Sequence, residues 1–355
     1  MNLYNSSSYL DDLALLSKSD SIPSIFHDRA ILISGATGLI GSFLVDVIMT
    51  GNLEGLNCTV YALSRSTQKA KERFSKWNGD PRLVLIPFDI NYPLDNPGIN
   101  SVDYVLHLAS NTHPRQYAED PIGTITTNIF GVKNMLDFSI KHQAKTFLFA
   151  SSVEVYGENR GDTEFFDENY CGYINSNTLR AGYPESKRCS EALCQAYKQH
   201  YGLDARIARI ARSYGPTMSL HDSRAISQFI IKGIHKEDIV LKSDGSQLFS
   251  YSYVADVVSG LLTILSKGDS GEAYNIADEE SNIITLKDLA HSVADYAGTN
   301  VVFEIPDAVE ASGYSKSTKA LMNGNKLKAL GWSPFYNIKT GITRTIDTLK
   351  EVYCQ

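Results

Sequence analysis

A glycine-rich run near the N-terminus constrains the fold of this chain more than any other feature. Gly35, Gly38 and Gly41 are separated by two residues each, and they follow the apolar run 31–33. Glycines at such a junction permit a tight turn and let a pyrophosphate approach the backbone at the start of the following helix. The residues assigned to this turn are Gly35, Thr37, Gly38, Leu39, Ile40 and Gly41. The run therefore predicts a strand, a phosphate-binding turn and a helix in direct succession.

From Arg29 onward, short apolar runs alternate with helical patterns, which is typical of βαβ units. The candidate strands are 30–34, 59–63, 83–86, 104–108, 146–150 and 205–210, and the candidate helices between them are 40–49, 124–142 and 184–200. The strands are rich in Val, Ile, Leu and Phe, as expected for strands that helices cover on both faces. The predicted fold class is α/β, a Rossmann-like doubly wound parallel sheet with a smaller C-terminal α/β substrate domain.

The length of 355 residues accommodates two domains or one large α/β unit. We expect an N-terminal extension with a short docking helix, a dinucleotide-binding Rossmann domain to which a later segment returns, and a substrate-binding domain in two pieces. The predicted N-terminal extension is 1–28, with its helix at 10–16. The predicted Rossmann domain is 29–211, to which 250–278 returns. The predicted substrate-binding domain consists of 212–249 and 279–355.

Composition excludes several classes of protein. The net charge of −7, from 33 basic and 40 acidic residues, predicts neither a nucleic-acid nor a membrane-surface partner. The five cysteines contain no Cys-x-x-Cys pair, which argues against a disulfide scaffold and a zinc site. The first 23 residues lack the basic and apolar regions of a secretory signal. We therefore expect a protein of the cytoplasm with reduced thiols and no metal.

The carboxyl end of the second strand predicts the cofactor. An acidic residue about 20 positions after the glycines would bind the ribose hydroxyls of NAD, but this chain has Ser64 and Arg65 there. A hydroxyl beside a guanidinium suits a 2′-phosphate, so NADP is favoured and NAD is possible. Later strand ends supply the further cofactor-facing candidates Asp89, Ile90, Leu108, Ala109 and Ser110.

Tyr183 and Lys187 form the predicted catalytic pair. They stand at i and i+4, on one face of a helix start. A nearby ammonium favours the phenolate, so we expect the pKa of Tyr183 to fall towards neutrality and the phenol to exchange a proton with a substrate hydroxyl. Ser152 leaves the fifth strand, where its hydroxyl could bind the same oxygen. Glu154 lies two residues further on an extended segment, which places it on the same side as a second acid or base.

Basic residues near the strand ends are candidates for holding an anionic substrate. Arg212 follows the sixth strand directly, where a ligand crevice belongs in a doubly wound sheet. Arg180 and Arg224 are added as candidate substrate contacts, and so are Ser110 and Glu154.

With these residues in view, the chain resembles the extended short-chain dehydrogenase/reductases of the nucleotide-sugar epimerase/dehydratase family, from about residue 28 to the C-terminus. The motifs that carry the resemblance are the glycine turn, His107-Leu108-Ala109-Ser110, Asp120-Pro121-Ile122, Thr127-Asn128, Glu154-Val155-Tyr156-Gly157, Tyr183 with Glu185, Lys187 and Arg188, and residues 206–210. The resemblance implies a nucleotide-sugar substrate, with Asn128 added to the cofactor site. It also implies that Tyr183, Lys187 and Ser152 serve hydride transfer from the sugar C4, and that Glu154 assists the following step.

Within that family the chain is most similar to UDP-glucuronate decarboxylases, which makes decarboxylation through transient C4 oxidation the leading hypothesis and surface polysaccharide synthesis the expected context. The resemblance also implies a homodimer formed by helices 124–142 and 184–200. Three positions depart from the family pattern. Its Asp after the second strand is Ser64, its Asn after the sixth is Arg212, and its Arg four residues before Tyr253 is Phe249. Because that Asn and Arg help to hold the diphosphate in relatives, we hypothesise that Arg212 takes over the role vacated at Phe249.

Three other functions stay open at this point: a nucleotide-sugar 4-epimerase or 4,6-dehydratase, an NADPH-dependent keto-sugar reductase, and a non-catalytic dinucleotide-sensing protein. Dehydrating relatives carry an Asp-Glu pair at the positions of Val153 and Glu154, and Val153 cannot supply an acid. A reductase would consume its cofactor stoichiometrically. A sensing protein would usually have lost the tyrosine–lysine pair, which is present here.

Overall fold

The computed structural model describes residues 2–19, 25–95, 98–99, 101–112, 119–304 and 318–353. The strands within these ranges are β1 (Ala30–Ser34), β2 (Thr59–Ser64), β3 (Leu83–Pro87), β4 (Tyr104–His107), β5 (Thr146–Ser152), β6 (Ala205–Ile210), β7 (Arg212–Tyr214), β8 (Ile239–Leu241), β9 (Leu248–Tyr253), β10 (Ala273–Ile276), β11 (Ile283–Thr285), β12 (Val301–Phe303) and β13 (Lys319–Ala320). The helices are α1 (Ser7–Ser17), α2 (Leu39–Leu53), α3 (Thr67–Arg73), α4 (Pro121–Lys141), α5 (Gly182–Tyr201), α6 (Ala225–Ile234), α7 (Val254–Lys267), α8 (Leu286–Ala297), α9 (Asn325–Lys328) and α10 (Ile338–Tyr353).

A seven-stranded parallel sheet forms the centre of the fold, in the order β10-β6-β5-β4-β1-β2-β3. This confirms the predicted Rossmann-like doubly wound α/β class. All six predicted strands are present, and their ends differ from the prediction by at most two residues. The strand order reverses between β1 and β4, so the ligand crevice of such a sheet belongs at the carboxyl ends of these two strands.

Burial of the sheet on both faces explains its apolar strands. Along β1, Ile31 and Ile33 belong to one apolar cluster, whereas Leu32 between them belongs to another. Successive side chains of a strand point to opposite faces, so β1 has a core on each side. Helices α2 and α7 pack together on one side, and α4 and α5 pack together on the other.

The remaining strands form two smaller sheets. β9 pairs antiparallel with β11 and parallel with β7 and β13, while β8 and β12 form a parallel pair. Segment 254–276 leaves the β9 sheet, forms α7 and returns to the large sheet as β10. On this basis we propose the domain division expected from the sequence, with 250–278 returning to the Rossmann unit.

The N-terminal helix is longer than predicted and packs on the body of the protein. Ser6 caps α1, which contacts α2, α7 and α10. Its side chains Tyr9, Leu13 and Leu16 are buried in the larger apolar cluster. In the part of the chain that the structure describes, no helix has both the length and the apolar character to cross a bilayer.

Candidate active site

The glycine turn forms a cradle that side chains could not occupy. Gly35 has φ +70°, and a Cβ atom there would lie 2.7 Å from the backbone nitrogen of Ala109. A Cβ on Gly41 would lie 2.3 Å from the carbonyl oxygen of Gly35. Gly38 precedes α2 as its N-cap and is exposed, whereas Leu39 and Ile40 in the first turn are half-buried. The cradle therefore lies at a helix N-terminus, where amide groups without helical acceptors attract anions.

The candidates at the rim of the cradle differ in their surroundings. The hydroxyls of Thr37 and Ser64 are 3.3 Å apart, and Arg65 is exposed. Asp89 is half-buried and accepts hydrogen bonds of 3.0 Å from the backbone and side-chain amides of Asn91. Ile90 is buried. Ser64 thus lies beside the cradle, whereas the carboxylate of Asp89 stabilises its own turn.

A chain of hydrogen bonds joins the end of β4 to α4 and α5. Ser110 donates to Oδ1 of Asn128 at 2.7 Å, and Nδ2 of Asn128 donates to the Ser186 hydroxyl at 2.8 Å. Ser186 in turn donates to the carbonyl oxygen of Tyr183 at 2.8 Å. Leu108 and Ala109 are half-buried beside this chain. The structure thus brings Ser110 and Asn128 together with the start of α5.

Tyr183 and Lys187 are both buried at the start of α5. The Lys187 ammonium donates to the carbonyl oxygen of Ala150 at 2.8 Å and lies 4.7 Å from the ring centre of Phe149. Burial lowers the pKa of Lys187 to about 7. Its nitrogen is 5.9 Å from the ring centre of Tyr183.

The expectation that the pKa of Tyr183 falls towards neutrality is wrong for the protein without ligands. Burial raises this pKa to about 12 and the charge of Glu154 adds to the rise, while hydrogen bonds with Ser152 and Ser110 and the charge of Arg224 oppose it. The physical reason is that desolvation of a phenolate exceeds the stabilisation that these neighbours supply. The two hydrogen bonds place the hydroxyls of Ser152 and Ser110 at the phenol of Tyr183.

His107 is a packed core histidine. Its Nδ1 lies 2.8 Å from the Ser34 hydroxyl, and its ring stacks between Phe147 and Phe149. Burial, reinforced by the charge of Lys187, lowers its pKa to about 3. The ring is therefore neutral across the physiological range.

Two guanidinium groups neighbour the carboxylate of Glu154. Arg180 donates to it at 3.2 and 3.3 Å, and Nη2 of Arg212 lies 3.9 Å from its Oε1. The Glu154 amide donates to the Ser152 hydroxyl at 3.2 Å, and Arg188 holds the same turn by donating to the carbonyl oxygen of Val155. Glu154 is therefore fixed beside Ser152 at the carboxyl end of β5. The expected extended segment is wrong here, because the Ser152 hydroxyl caps a turn of 3-10 helix over Val153–Tyr156.

Arg212 lies on an aromatic surface. Its guanidinium carbon is 3.7 Å from the ring centre of Phe249, within the range of a cation–π contact. Its Nη1 is buried without a hydrogen-bond acceptor among the described residues. Tyr251 pairs with Arg212 across β7 and β9, and burial raises the pKa of Tyr251 to about 12 against the charges of Arg212 and Arg224. The structure thus brings Arg212 and Phe249 into direct contact.

Arg224 has partners of its own. It forms an ion pair of 2.6 Å with buried Asp222 and donates to the carbonyl oxygen of Ser213 at 3.0 Å. Tyr251 could not be predicted as a neighbour of the site, because only the register of β7 and β9 brings it opposite Arg212. Among the described residues, no group of three or more His, Cys, Asp or Glu side chains could hold a metal ion.

Comparisons with known sequences add to this geometry. A sequence profile described as the NAD dependent epimerase/dehydratase family matches residues 31–277. The UDP-glucuronic acid decarboxylase 3 of Arabidopsis thaliana is 33% identical over 312 residues, which cover 88% of this chain and 86% of the relative.

Solved structures share the fold. The UDP-glucose 4-epimerase of Thermotoga maritima, solved with UDP-glucose, matches with a TM-score of 0.77 at 24% identity, over 91% of this chain and 99% of that one. The UDP-glucuronic acid 4-epimerase of Bacillus cereus, in complex with UDP-glucuronic acid and NAD, matches with a TM-score of 0.76 at 21% identity, over 91% and 100%. At these identities the two structures show a common architecture.

Proposed function

Since the chain belongs to the NAD-dependent epimerase/dehydratase family and is an enzyme of that family, we propose that it decarboxylates UDP-glucuronate through a transient oxidation at C4 of the sugar. The observation that carries this choice is the position of Glu154 between Arg180 and Arg212, next to the phenol and hydroxyl of the Tyr183–Ser152 pair. The positive charges of Arg180 and Arg212 suit a substrate that carries a carboxylate on C5, the carbon next to C4, and Glu154 supplies an acid or base at the same position.

The cradle fits a nicotinamide dinucleotide. Cβ atoms at Gly35 and Gly41 would collide with backbone atoms. Glycine at these positions therefore leaves the backbone of the turn accessible to a ligand at the start of α2. The residues that would hold the cofactor are the glycine turn, Ser64, Arg65, Asp89, Ile90, Leu108, Ala109, Ser110, Asn128, Tyr183 and Lys187. When bound, the cofactor supplies reversible hydride acceptance at the sugar C4.

Tyr183 carries the proton of the C4 hydroxyl in the proposed reaction. Hydrogen bonds with Ser152 and Ser110 and the charge of Arg224 favour its phenolate, while burial makes that phenolate a strong base. Lys187 donates to the carbonyl oxygen of Ala150 and so fixes α5 against β5. The phenolate can therefore accept the proton of the C4 hydroxyl during oxidation, and the phenol formed in this way returns it at the end of the cycle.

Decarboxylation is possible because a 4-keto group stabilises negative charge at C5. The C5–C6 bond breaks, its electron pair passes into the enolate of C4 and C5, and carbon dioxide leaves. A proton is then added to C5, in the place of the carboxyl group that has left. Glu154 is the group that we assign to this step, because Ser152 and Arg180 fix it beside the site of the phenol. Arg212 is assigned to an anionic part of the substrate, the diphosphate.

Mass spectrometry of the nucleotide sugar tests this function. UDP-glucuronate is incubated with the protein and a substoichiometric amount of NAD or NADP. We expect a nucleotide pentose and carbon dioxide, with more turnovers than cofactor molecules. Glu154→Gln is the matched variant, in which release of carbon dioxide should fall at least tenfold while cofactor binding is unchanged. An isomer of unchanged mass would replace the proposal by C4 epimerisation, and an unchanged substrate would refute both.

We also propose that NADP binds more tightly than NAD. The support is the hydroxyl of Ser64 beside the cradle, with exposed Arg65 next to it, where NAD enzymes of this fold use a carboxylate. Titration of the protein with both cofactors should give the lower Kd for NADP. In Ser64→Asp the order should reverse, because a carboxylate repels the 2′-phosphate. An order of affinities that is the same in both proteins would contradict the assignment.

A homodimer and a cytoplasmic location are further proposals. Helix α4 exposes the apolar side chains of Ile122, Ile125 and Phe130, and Leu179, shortly before α5, is exposed as well. A second copy of this chain would cover this surface through helices 124–142 and 184–200. Light scattering should therefore give twice the mass of the chain, and the mass of one chain would refute the dimer.

The cysteines that the structure describes are free, which supports a reducing compartment.

A further inference from the structure

A buried carboxylate of the N-terminal helix α1 is shared by three parts of the chain. Asp12 is fully buried, and its Oδ2 accepts a hydrogen bond of 2.6 Å from the hydroxyl of Tyr253 in β9. Its Oδ1 accepts from the hydroxyl of Tyr336 at 2.6 Å and from Nε of Arg344 in α10 at 2.9 Å. Arg344 compensates the buried charge, so the carboxylate can hold both hydroxyls.

Tyr253 belongs to the strand pair that carries the substrate-side residues. It ends β9, which also contains Phe249 and Tyr251. In the parallel pairing with β7, Arg212 lies opposite Tyr251, and Tyr214 lies opposite Tyr253 with their ring centres 5.7 Å apart. A shift of the Tyr253 hydroxyl would therefore move the pair of strands on which Arg212 and Phe249 meet.

The same N-terminal segment is bound to the helix that starts at the glycine cradle. Asp46 of α2 is fully buried and accepts hydrogen bonds from the side chains of Tyr4, Tyr9, Arg73 and Trp77. Tyr9 is in α1, three residues before Asp12, and its ring also packs edge-on against Phe43 of α2. One segment thus contacts both the cofactor-side helix and the substrate-side strand through buried carboxylates.

We propose that α1 is a positioning element, which sets the strand pair β7–β9 relative to the glycine cradle through the hydrogen bond from Tyr253 to Asp12. This inference rests on the proposed function, because Arg212 and Phe249 bind substrate only if that function holds. In this arrangement Asp12 touches neither substrate nor cofactor. It acts on the nucleotide sugar through Tyr253, so its loss changes substrate affinity more than the chemical step.

The test compares Tyr253→Phe with Tyr336→Phe. Each variant removes one hydroxyl that lies 2.6 Å from the Asp12 carboxylate, but only Tyr253 is in β9. A hydrogen bond to a charged group is worth about tenfold or more in an equilibrium constant, so we expect Tyr253→Phe to raise the KM for UDP-glucuronate about five- to tenfold. The kcat and the Kd for the cofactor should stay within about twofold of wild type. Tyr336→Phe should leave all three within about twofold.

Hydrogen exchange supplies a readout that needs no substrate. Amides of 212–214 and 248–253 should exchange about tenfold faster in Tyr253→Phe than in Tyr336→Phe. If wild type fails to convert UDP-glucuronate but this difference is present, the proposed function fails and the positioning role holds. Equal exchange in the two variants, or an equal change of KM in both, would overturn the positioning role. If Tyr253→Phe does not fold, Asp12→Asn replaces it in the same comparison, because an amide oxygen can still accept one of the hydroxyls.

Discussion

Removal of the Arg212 guanidinium should weaken substrate binding and spare the cofactor. In Arg212→Ala the charge next to Phe249 and Glu154 is lost, together with the donor Nη1 that is buried without an acceptor in the described structure. A hydrogen bond between charged groups contributes about 1.5–3 kcal/mol, and 1.4 kcal/mol is a factor of ten. We therefore expect the KM for UDP-glucuronate to rise about 10- to 100-fold.

Two matched variants separate charge from stacking. Arg212→Lys keeps the charge but loses the planar guanidinium that faces the Phe249 ring, so its KM should rise about tenfold. Phe249→Leu keeps the guanidinium and removes only the ring, which costs about 0.5–2 kcal/mol or roughly 2- to 30-fold in KM. In the double variant Arg212→Ala with Phe249→Leu the two effects should be less than additive, because both act through one contact.

The assay is steady-state kinetics on the nucleotide sugar, with calorimetric titration of the cofactor in parallel. The Kd for the cofactor should change less than about twofold in all four proteins. The assignment of Arg212 to substrate binding is refuted if Arg212→Ala leaves the KM for UDP-glucuronate at the wild-type value. It is also refuted if the substitution weakens cofactor binding as much as substrate binding. Strict additivity of the two substitutions would refute the shared contact.

Three further predictions address the other parts of the site. Tyr183→Phe should lower kcat at least about 100-fold with the melting temperature unchanged within a few degrees, and retained turnover would exclude Tyr183 as proton carrier. Gly35→Ala should abolish cofactor binding in calorimetry, because φ is +70° and the new Cβ would lie 2.7 Å from the Ala109 nitrogen; binding at wild-type affinity would contradict the cradle. Phe130→Glu should convert dimer into monomer in light scattering, since this half-exposed ring of α4 would place a charge in the proposed interface, and an unchanged mass would exclude that surface.

The sequence predicts the central sheet well because its strands are buried on both faces. Strands such as β1 therefore show continuous apolar runs, and the glycine turn indicates where α2 begins. The strand ends depend on hydrogen bonds to neighbouring strands, which no local pattern reports. This is why β5 continues two residues beyond its predicted end, to Ser152.

The parts that could not be predicted depend on burial and on distant partners. The sequence shows that Lys187 is near Tyr183, but not that desolvation outweighs all favourable neighbours of the phenol. Two departures from one family pattern suggested that Arg212 takes over a role vacated at Phe249, but the contact between the two side chains depends on the register of β7 and β9. No sequence pattern links Asp12 to Tyr253, because the two residues are 241 positions apart.

Retention of hydrogen at C4 of the sugar is the sharpest test of transient C4 oxidation within one active site. UDP-glucuronate that carries deuterium at C4 is converted by the protein with a substoichiometric amount of unlabelled cofactor, and the product is analysed by mass spectrometry. We expect a nucleotide pentose that has lost carbon dioxide and still carries deuterium at C4. A product without deuterium, or decarboxylation that stops once one equivalent of cofactor is used, would contradict transient oxidation and return within one active site.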